Sequence, residues 1–260
     1  MNQMHKLIAT ELLKSRKSKV IWITFAAFTL LPVMGGFFMF VLKHPDFAEK
    51  SGLLGAKAQL AGSADWSSYL SLIAQGIALG GLFVFGFITS WIFGREYTDR
   101  TVKDLLSLPF PRIYVPIAKF VTEIQRSSLV TVWIIGISFI VGQVIGLAQW
   151  SAEVWQHGLY VLLITSVLTI LLSTPVALFA CYGRGYLAPL GFVIMTMILS
   201  QIIAVIGYGS YFPWAIPALF SNVSGEGNLL GATSVIIILI TSLIGFISTL
   251  SFWRFADQNG

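Results

Sequence analysis

Six long apolar runs constrain this chain more than any other feature of its sequence. They cover approximately residues 20–42, 69–93, 127–148, 157–180, 187–207 and 233–252. Each approaches the roughly 20 apolar residues that a helix needs to cross the hydrocarbon core of a bilayer. Backbone amides in lipid must find partners within the protein, and none of the runs alternates as the strands of a barrel do. The sequence therefore predicts an all-α polytopic membrane protein with six transmembrane helices.

The low share of charged residues excludes a water-soluble fold. Only 10% of the 260 residues are charged, whereas soluble domains carry about 25%. The stretches between the runs are too short for a soluble domain. We therefore expect a single transmembrane domain over residues 1–260.

The basic residues predict the orientation of the helices. If both termini are cytoplasmic, 13 of the 16 Lys and Arg residues lie on the inner side and 3 on the outer side. Lys and Arg are enriched in cytoplasmic loops. We therefore expect cytoplasmic termini, an inner connection at 94–126, and outer connections that include 43–68 and 208–232.

The predicted spans lack the residues of several function classes. They contain no Asp, Glu, His or Arg well inside them, and proton relays and ion-driven transporters use such residues. The three histidines share no metal-ligand spacing, and the chain has no G-x-x-x-x-G-K-[ST] loop for ATP. We expect no catalytic, cofactor-binding or metal-binding residue, so the chain by itself is not an enzyme.

The first 19 residues predict an amphipathic helix that lies on the inner leaflet. Met4, Leu7 and Ile8 share one face at about 100° per residue. The basic residues expected near anionic head groups are Lys14, Arg16, Lys17 and Lys19. Glu11 falls within the apolar stripe, which leaves two explanations open. It pairs either with Lys14, three residues on, or with a basic residue of the 94–126 connection.

The most polar stretch of the chain, GREYTDRTVKDLLSLPFPR at 94–112, predicts a short helix. Thr98 or Asp99 is suited to begin it, and Thr101 with Asp104 approximates a capping box.

One edge of this short helix is apolar and the rest is charged. Leu105 and Leu106 are adjacent, and Glu96 precedes Arg100 by four residues, the order that favours an ion pair. Pro109 ends the helix because proline cannot continue it. A solvated loop needs no pair of leucines, whereas the groove of a partner protein would bind one.

These residues resemble the first cytoplasmic loop of the ABC type-2 export permeases. That family's pattern is an acid, Gly-Thr, a double leucine, a proline and an arginine, followed by a lysine. The matching residues are Glu96, Thr101, Leu105, Leu106, Pro109, Arg112 and Lys119. The stretch YFPWAIPALF at 211–220 is similar to an outer Pro-Trp-x-x-Pro stretch of the bacitracin and lantibiotic-immunity permeases.

The resemblance implies that 94–126 is a coupling loop whose helix docks in a groove of a separate ABC ATP-binding subunit. Two such ATPase subunits, which bind ATP and magnesium, would work with this chain and a second permease subunit, identical or related. Leu105 and Leu106 would insert into the groove, with charged side chains around them. The implied coupling residues are Glu96, Arg100, Thr101, Lys103, Asp104, Leu105, Leu106, Pro109 and Arg112.

Two basic residues of the loop have two possible contacts, and a third departs from the family pattern. Arg112 and Lys119 either contact the partner or extend to lipid head groups. Arg100 stands where the family often has a glycine. Without a glycine to allow a kink, we expect the helix to run on unbroken at this point.

The outer segment at 208–232 contains Pro213, Trp214 and Pro217, which suit a re-entrant or interfacial segment. The resemblance implies a half-buried outer helix that forms a lid over the transport pathway. The alternative is an anchor in the aromatic belt at the membrane surface.

The function that the resemblance implies is ATP-driven export of an amphiphilic substrate, such as a peptide antibiotic, across a bacterial plasma membrane. No nucleic-acid partner is expected. The alternative is a membrane sensor or assembly protein that transports nothing and binds a cytoplasmic partner through residues 94–112.

Overall fold

Helices make up almost all of the computed structural model, which describes residues 3–44, 63–107, 109–221 and 230–255. The α-helices in these ranges are α1 (Gln3–Lys17), α2 (Lys19–Lys43), α3 (Trp66–Thr98), α4 (Val102–Leu106), α5 (Tyr114–Ile145), α6 (Ala152–Leu171), α7 (Thr174–Tyr182), α8 (Leu187–Val205), α9 (Ile216–Ser221) and α10 (Ala232–Phe255). Two 3₁₀ turns, Gly209–Tyr211 and Pro213–Ala215, precede α9. The all-α fold class is therefore confirmed.

Six helical segments of the described residues are long and apolar enough to cross a membrane. They are α2, α3, α5, the α6–α7 pair, α8 and α10. The six predicted spans are confirmed, but the helix of the third begins at Tyr114, well before residue 127. Its first turns are polar in sequence, yet Lys119, Thr122 and Glu123 are buried against other helices. The irregular part of the predicted 94–126 loop is correspondingly shorter.

One end of the bundle, called here the α1 end, brings together α1, α4 and the turn between α7 and α8. The side-chain amide of Gln3 donates to the carbonyl oxygen of Pro109 at 3.5 Å. The last turns of α3 approach the α7–α8 turn so closely that a Cβ on Gly94 would lie 2.8 Å from the carbonyl oxygen of Gly185. The polar segments at 3–17 and 99–113 are therefore neighbours in space.

At the opposite end of the bundle, a lysine and several aromatic rings connect the helices. The Lys43 ammonium donates to the carbonyl oxygens of Ile145 at 2.9 Å and Gly146 at 2.8 Å, which joins α2 to the end of α5. Trp66, at the start of α3, packs edge-on against Trp155, with ring centroids 5.7 Å apart. Most of the 43–68 connection and residues 222–229 of the predicted outer segment lie outside the described residues.

The fourth span is broken near its middle. The helix stops at Leu171 and restarts at Thr174, so that α6 and α7 are separated by Leu172 and Ser173. Pro175 occupies the first turn of α7, where its missing N–H would have no partner in any case. The break is a consequence of local sequence, because a proline in the interior of a continuous helix would clash with the preceding turn.

Candidate functional site

Five charged side chains from three helices meet at the α1 end. Glu11 and Lys14 come from α1, Arg95 and Glu96 from the last turn of α3, and Lys119 from α5. We call these five residues the charge cluster. It ties α1 to the two membrane helices that flank the segment at 99–113.

The geometry of the charge cluster is that of a shared network in which each carboxylate has three cationic partners. Lys14 Nζ lies 3.1 Å from Glu11 Oε1 and 3.2 Å from Glu96 Oε1. Lys119 Nζ lies 3.3 Å from Glu96 Oε1 and 3.6 Å from Glu11 Oε2. Arg95 Nη2 lies 3.5 Å from Glu96 and 3.9 Å from Glu11. The network spans residues more than 100 positions apart in the chain.

Burial makes this network energetically important. Lys119 is 0% and Glu96 1% exposed, and the ammonium of Lys119 also donates to the Ile92 carbonyl at 2.7 Å. Surface ion pairs contribute about 0–1 kcal/mol, whereas removing one partner of a buried pair costs about 3–5 kcal/mol because a charge is left uncompensated. The cluster therefore fixes the relative positions of α1, α3 and α5.

Lys14 lies at the solvent side of the network. Burial lowers its pKa, but the nearby carboxylates of Glu11 and Glu96 outweigh that effect, so the pKa is raised above its ordinary value. A raised lysine pKa stabilises the folded state at lower pH, and this stabilisation is lost only as pH rises through the folded-state pKa. Lys14 thus stays charged throughout the physiological range.

The structure shows which of the predictions for Glu11 and Lys119 hold. Both explanations for Glu11 hold, because it pairs with Lys14 and also with Arg95 and Lys119 of the predicted connection. The prediction that Lys119 extends to lipid head groups is wrong, because the side chain is completely buried. The carboxylate of Glu96 also points into the protein, where it joins α3 to α1 and α5.

The chain turns sharply at Arg100, and the expectation of an unbroken helix is wrong. Arg100 has a φ of +57°, its N–H donates to the Tyr97 carbonyl at 3.3 Å, and the Thr101 N–H donates to the Glu96 carbonyl at 2.9 Å. This pair of hydrogen bonds is the Schellman motif, in which a left-handed residue ends a helix. Arg100 therefore makes the kink that a glycine would make at this position.

Replacing Arg100 with glycine should stabilise this turn. A left-handed conformation costs a residue with a Cβ about 1–2 kcal/mol, part of which is offset by the greater unfolded-state entropy of glycine. We expect Arg100→Gly to raise the free energy of unfolding by roughly 0.5–1 kcal/mol, measured by thermal unfolding in detergent. The control is Lys103→Gly, inside α4, where glycine should destabilise. An equal loss of stability in both variants would contradict the assignment.

The short helix α4 follows the turn and leaves most of its polar side chains in solvent. It begins after Thr101, which makes no side-chain capping hydrogen bond, so neither the predicted cap at Thr98 or Asp99 nor the capping box forms. Of the predicted coupling residues, those with exposed side chains are Arg100, Lys103, Asp104, Pro109 and Arg112. On α1, Arg16 and Lys17 are exposed as well.

Leu105 of α4 faces the protein rather than solvent. It is half-buried against the main hydrophobic core and helps to line a cavity of about 290 Å³ between α1 and α4, together with Leu7 and Phe110. The side chain of Leu106 is outside the described part of the chain. Lys103 and Asp104 therefore form the exposed rim of α4, and Leu105 borders a gap beneath it.

The sequence of this chain matches a known family of membrane proteins. The model of that family, described as ABC-2 family transporter protein, matches residues 7–201. This chain belongs to the ABC-2 transporter family. It is a multi-pass membrane protein of the plasma membrane and a transport permease subunit. Family membership implies association with an ABC ATPase subunit.

One curated relative is similar over most of its length. The bacitracin transport permease protein BCRB of Bacillus licheniformis is 26% identical over 184 residues, which cover 70% of this chain and 87% of the relative. The matched region of the family model contains the charge cluster, the turn at Arg100 and α4.

One buried acid of this ABC-2 permease was missed by the sequence analysis. Glu123 of α5 is 1% exposed, and its Oε1 accepts hydrogen bonds from Ser127 at 3.2 Å and Ser173 at 2.9 Å. The predicted connection at 94–126 includes it, although Lys119, Glu123 and Ser127 have the four-residue spacing of one helix face. That spacing was the signal available in the sequence.

The predicted outer segment of the permease packs deeply against the membrane helices. Pro217 and the preceding Ile216 are buried, and Trp214 is half-buried, with its ring 5.5 Å from that of Phe192. Ile216 belongs to one buried cluster with Leu82, near the middle of α3. An aromatic anchor at the membrane surface would not reach this depth, so the geometry favours a re-entrant segment.

Proposed function

We propose that this permease subunit couples ATP hydrolysis by a separate ABC ATPase subunit to the export of an amphiphilic substrate. The observation that supports coupling is the charge cluster. It joins α3 and α5, the two helices that flank the polar segment at 99–113, to each other and to α1 through buried ion pairs whose separation is costly. A force applied to α4 is therefore passed to two membrane helices and not absorbed by a flexible loop.

The exposed rim of α4 supplies the contact for the ATPase. Lys103 and Asp104 are exposed, and their opposite charges suit a polar groove on a partner. In this proposal the α1 end faces the cytoplasm, which agrees with the excess of basic residues there. Two ATPase subunits bind ATP and magnesium, and a second permease subunit, identical to this chain or related to it, completes the pump.

The proposed substrate is a peptide antibiotic. The support is the relative's name, which assigns bacitracin transport to that protein, and the apolar character of the spans, which suits a substrate taken from the bilayer. The buried outer segment with Pro213, Trp214 and Pro217 forms the lid of the pathway. The alternative function is that of a sensor that transports no substrate. Such a sensor would make the same contact with a cytoplasmic partner, so only a transport measurement separates the two functions.

The test begins with assembly. The affinity-tagged chain, co-expressed with an ABC ATPase subunit from the same genome, is purified in detergent and the retained ATPase is quantified. We expect Lys103→Glu with Asp104→Lys to reduce retention at least tenfold, because both charges of the exposed rim that contacts the ATPase are reversed and like charges across an interface cost several kcal/mol. The matched control is Arg184→Glu, an exposed charge change in the α7–α8 turn at the same end.

The second arm separates the two functions. Proteoliposomes that contain the complex are given ATP and bacitracin, and bacitracin movement and ATPase rate are measured together. ATP-dependent movement supports an exporter. Retention of the ATPase with no movement of bacitracin or of any other amphiphilic peptide would favour the sensor. Equal retention by the double variant and the control would contradict the proposed role of α4.

A further inference from the structure

The break in the fourth span is held by side chains from two other helices. On one side, the hydroxyl of Ser173 lies 2.9 Å from Glu123 Oε1 of α5 and 2.6 Å from the Ile170 carbonyl. On the other side, Thr174 Oγ1 lies 3.0 Å from the Ser242 carbonyl of α10, and Ser242 Oγ donates to the Leu171 carbonyl at 2.9 Å. The backbone groups freed by the break are thereby satisfied within the protein, as lipid requires.

The partner of Ser173 sits on the same face of α5 as Lys119. Lys119, Glu123 and Ser127 follow at intervals of four residues, so their side chains lie one above the other. Lys119 belongs to the charge cluster, and Glu123 contacts the break. No basic side chain of the described ranges pairs with Glu123, whose hydrogen bonds come from hydroxyls. One face of α5 therefore connects the charge cluster with the break.

The other residue of the break belongs to the same buried cluster as the outer segment. Leu172 is 1% exposed and belongs to the buried cluster that also contains Ile216, Leu82, Leu168 and Ile238. Two consecutive residues thus face different parts of the protein. Ser173 contacts the polar face of α5, and Leu172 packs in the apolar cluster that includes the outer segment.

We propose that Leu172–Ser173 is a hinge of the fourth span. Glu123 is the positioning residue that passes movement of the segment at 99–113 to this hinge and so to the outer segment. The inference rests on the proposed function, because it assumes that α4 is moved by an ATPase. Rotation of α5 carries Glu123 with it, the hydrogen bond to Ser173 changes the angle between α6 and α7, and Leu172 displaces Ile216.

The first experiment measures the ratio of bacitracin transported to ATP hydrolysed in proteoliposomes of the full complex. Ser173→Ala removes the link to Glu123 and leaves a small, apolar side chain in a buried place. We expect it to lower the ratio by about three- to tenfold with little change in basal ATPase rate. Glu123→Gln keeps a carbonyl acceptor for Ser173 and should retain the wild-type ratio.

The matched control is Ser127→Ala. It removes a hydrogen bond to the same carboxylate oxygen from within α5 and leaves the break untouched. We expect its ratio to equal that of wild type. Glu123→Leu should match Ser173→Ala, and the double variant should be no worse than either single one, because both remove one link. Additive losses, or equal losses in Ser173→Ala and Ser127→Ala, would overturn the proposal.

The second experiment needs no transport. Spin labels replace the exposed residues Leu163 on α6 and Tyr182 on α7, and the distance between them is measured in the complex with and without a non-hydrolysable ATP analogue. We expect a change in this distance in the otherwise native chain and none with Ser173→Ala. A distance unaffected by nucleotide would refute the hinge. If the native complex fails to transport but the distance responds, the proposed substrate is at fault and the hinge stands.

Discussion

Replacing Lys119 with methionine is expected to lower the free energy of unfolding by about 3–5 kcal/mol, because it breaks a buried ionic network. Methionine has a similar length and fills the space, so the loss comes from charge and hydrogen bonding and not from a cavity. The carboxylates of Glu11 and Glu96 lose a cation at 3.6 and 3.3 Å, and the Ile92 carbonyl loses its donor. Thermal unfolding in detergent and the yield of monodisperse protein measure the effect.

A double-variant cycle separates this electrostatic cause from general damage. The charge cluster has three cations and two carboxylates, a formal charge of +1. Glu96→Gln alone raises it to +2, whereas Glu96→Gln with Lys119→Met returns it to +1. We therefore expect the double variant to lose less stability than the sum of the two single variants. Simple additivity would show that the two charges act independently, contrary to the network.

The network also explains how the exposed segment at 99–113 is anchored at both of its ends. A solvent-exposed loop of this length would usually be mobile and a poor transmitter of force. Here the chain turns at the left-handed Arg100, four residues after Glu96, and returns to the helix that carries Lys119. The two ends of the segment are thus joined by an ion pair of 3.3 Å. In the proposed function, movement of α4 is therefore passed to α3 and α5 together.

The sequence predicted the architecture well because span length and apolar composition are governed by the bilayer. The beginning of α5 was not predicted, since Lys119 and Glu123 were treated as loop residues. The residue type alone does not tell whether a charged side chain pairs inside the protein or is exposed to solvent. Only their four-residue spacing distinguished them, and the partners Glu11 and Ser173 are distant in sequence.

The left-handed turn was missed for a different reason. Arg100 is an unusual residue for this conformation, because most left-handed residues at helix ends are glycine. The resemblance to the family had marked the position as one where glycine is common, and this was the correct signal. The identity of the residue outweighed it in the sequence analysis. Backbone hydrogen bonds of Arg100 and Thr101, which no local propensity reveals, decide the conformation.

The second large effect is expected at the hinge, from replacing Gly245 of α10 with alanine. A Cβ at this position would lie 2.5 Å from the backbone nitrogen of Pro175 and 2.8 Å from the carbonyl carbon of Thr174. These are backbone atoms of the first turn of α7, so no side-chain rotation can relieve the clash. Either α10 moves away from the break or the break changes its angle, at a cost of about 1–3 kcal/mol.

Both routes loosen the hydrogen bonds that join Ser242 to Thr174 and to the Leu171 carbonyl, which lie next to the clash. We therefore expect Gly245→Ala to lower the melting temperature of the detergent-solubilised chain. The matched control is Gly136→Ala in α5, where a Cβ would meet nothing within 4 Å and alanine should stabilise the helix by roughly 0.5–1 kcal/mol. If both variants melt at or above the wild-type temperature, α10 does not constrain the break, and the hinge must be held by Glu123 alone.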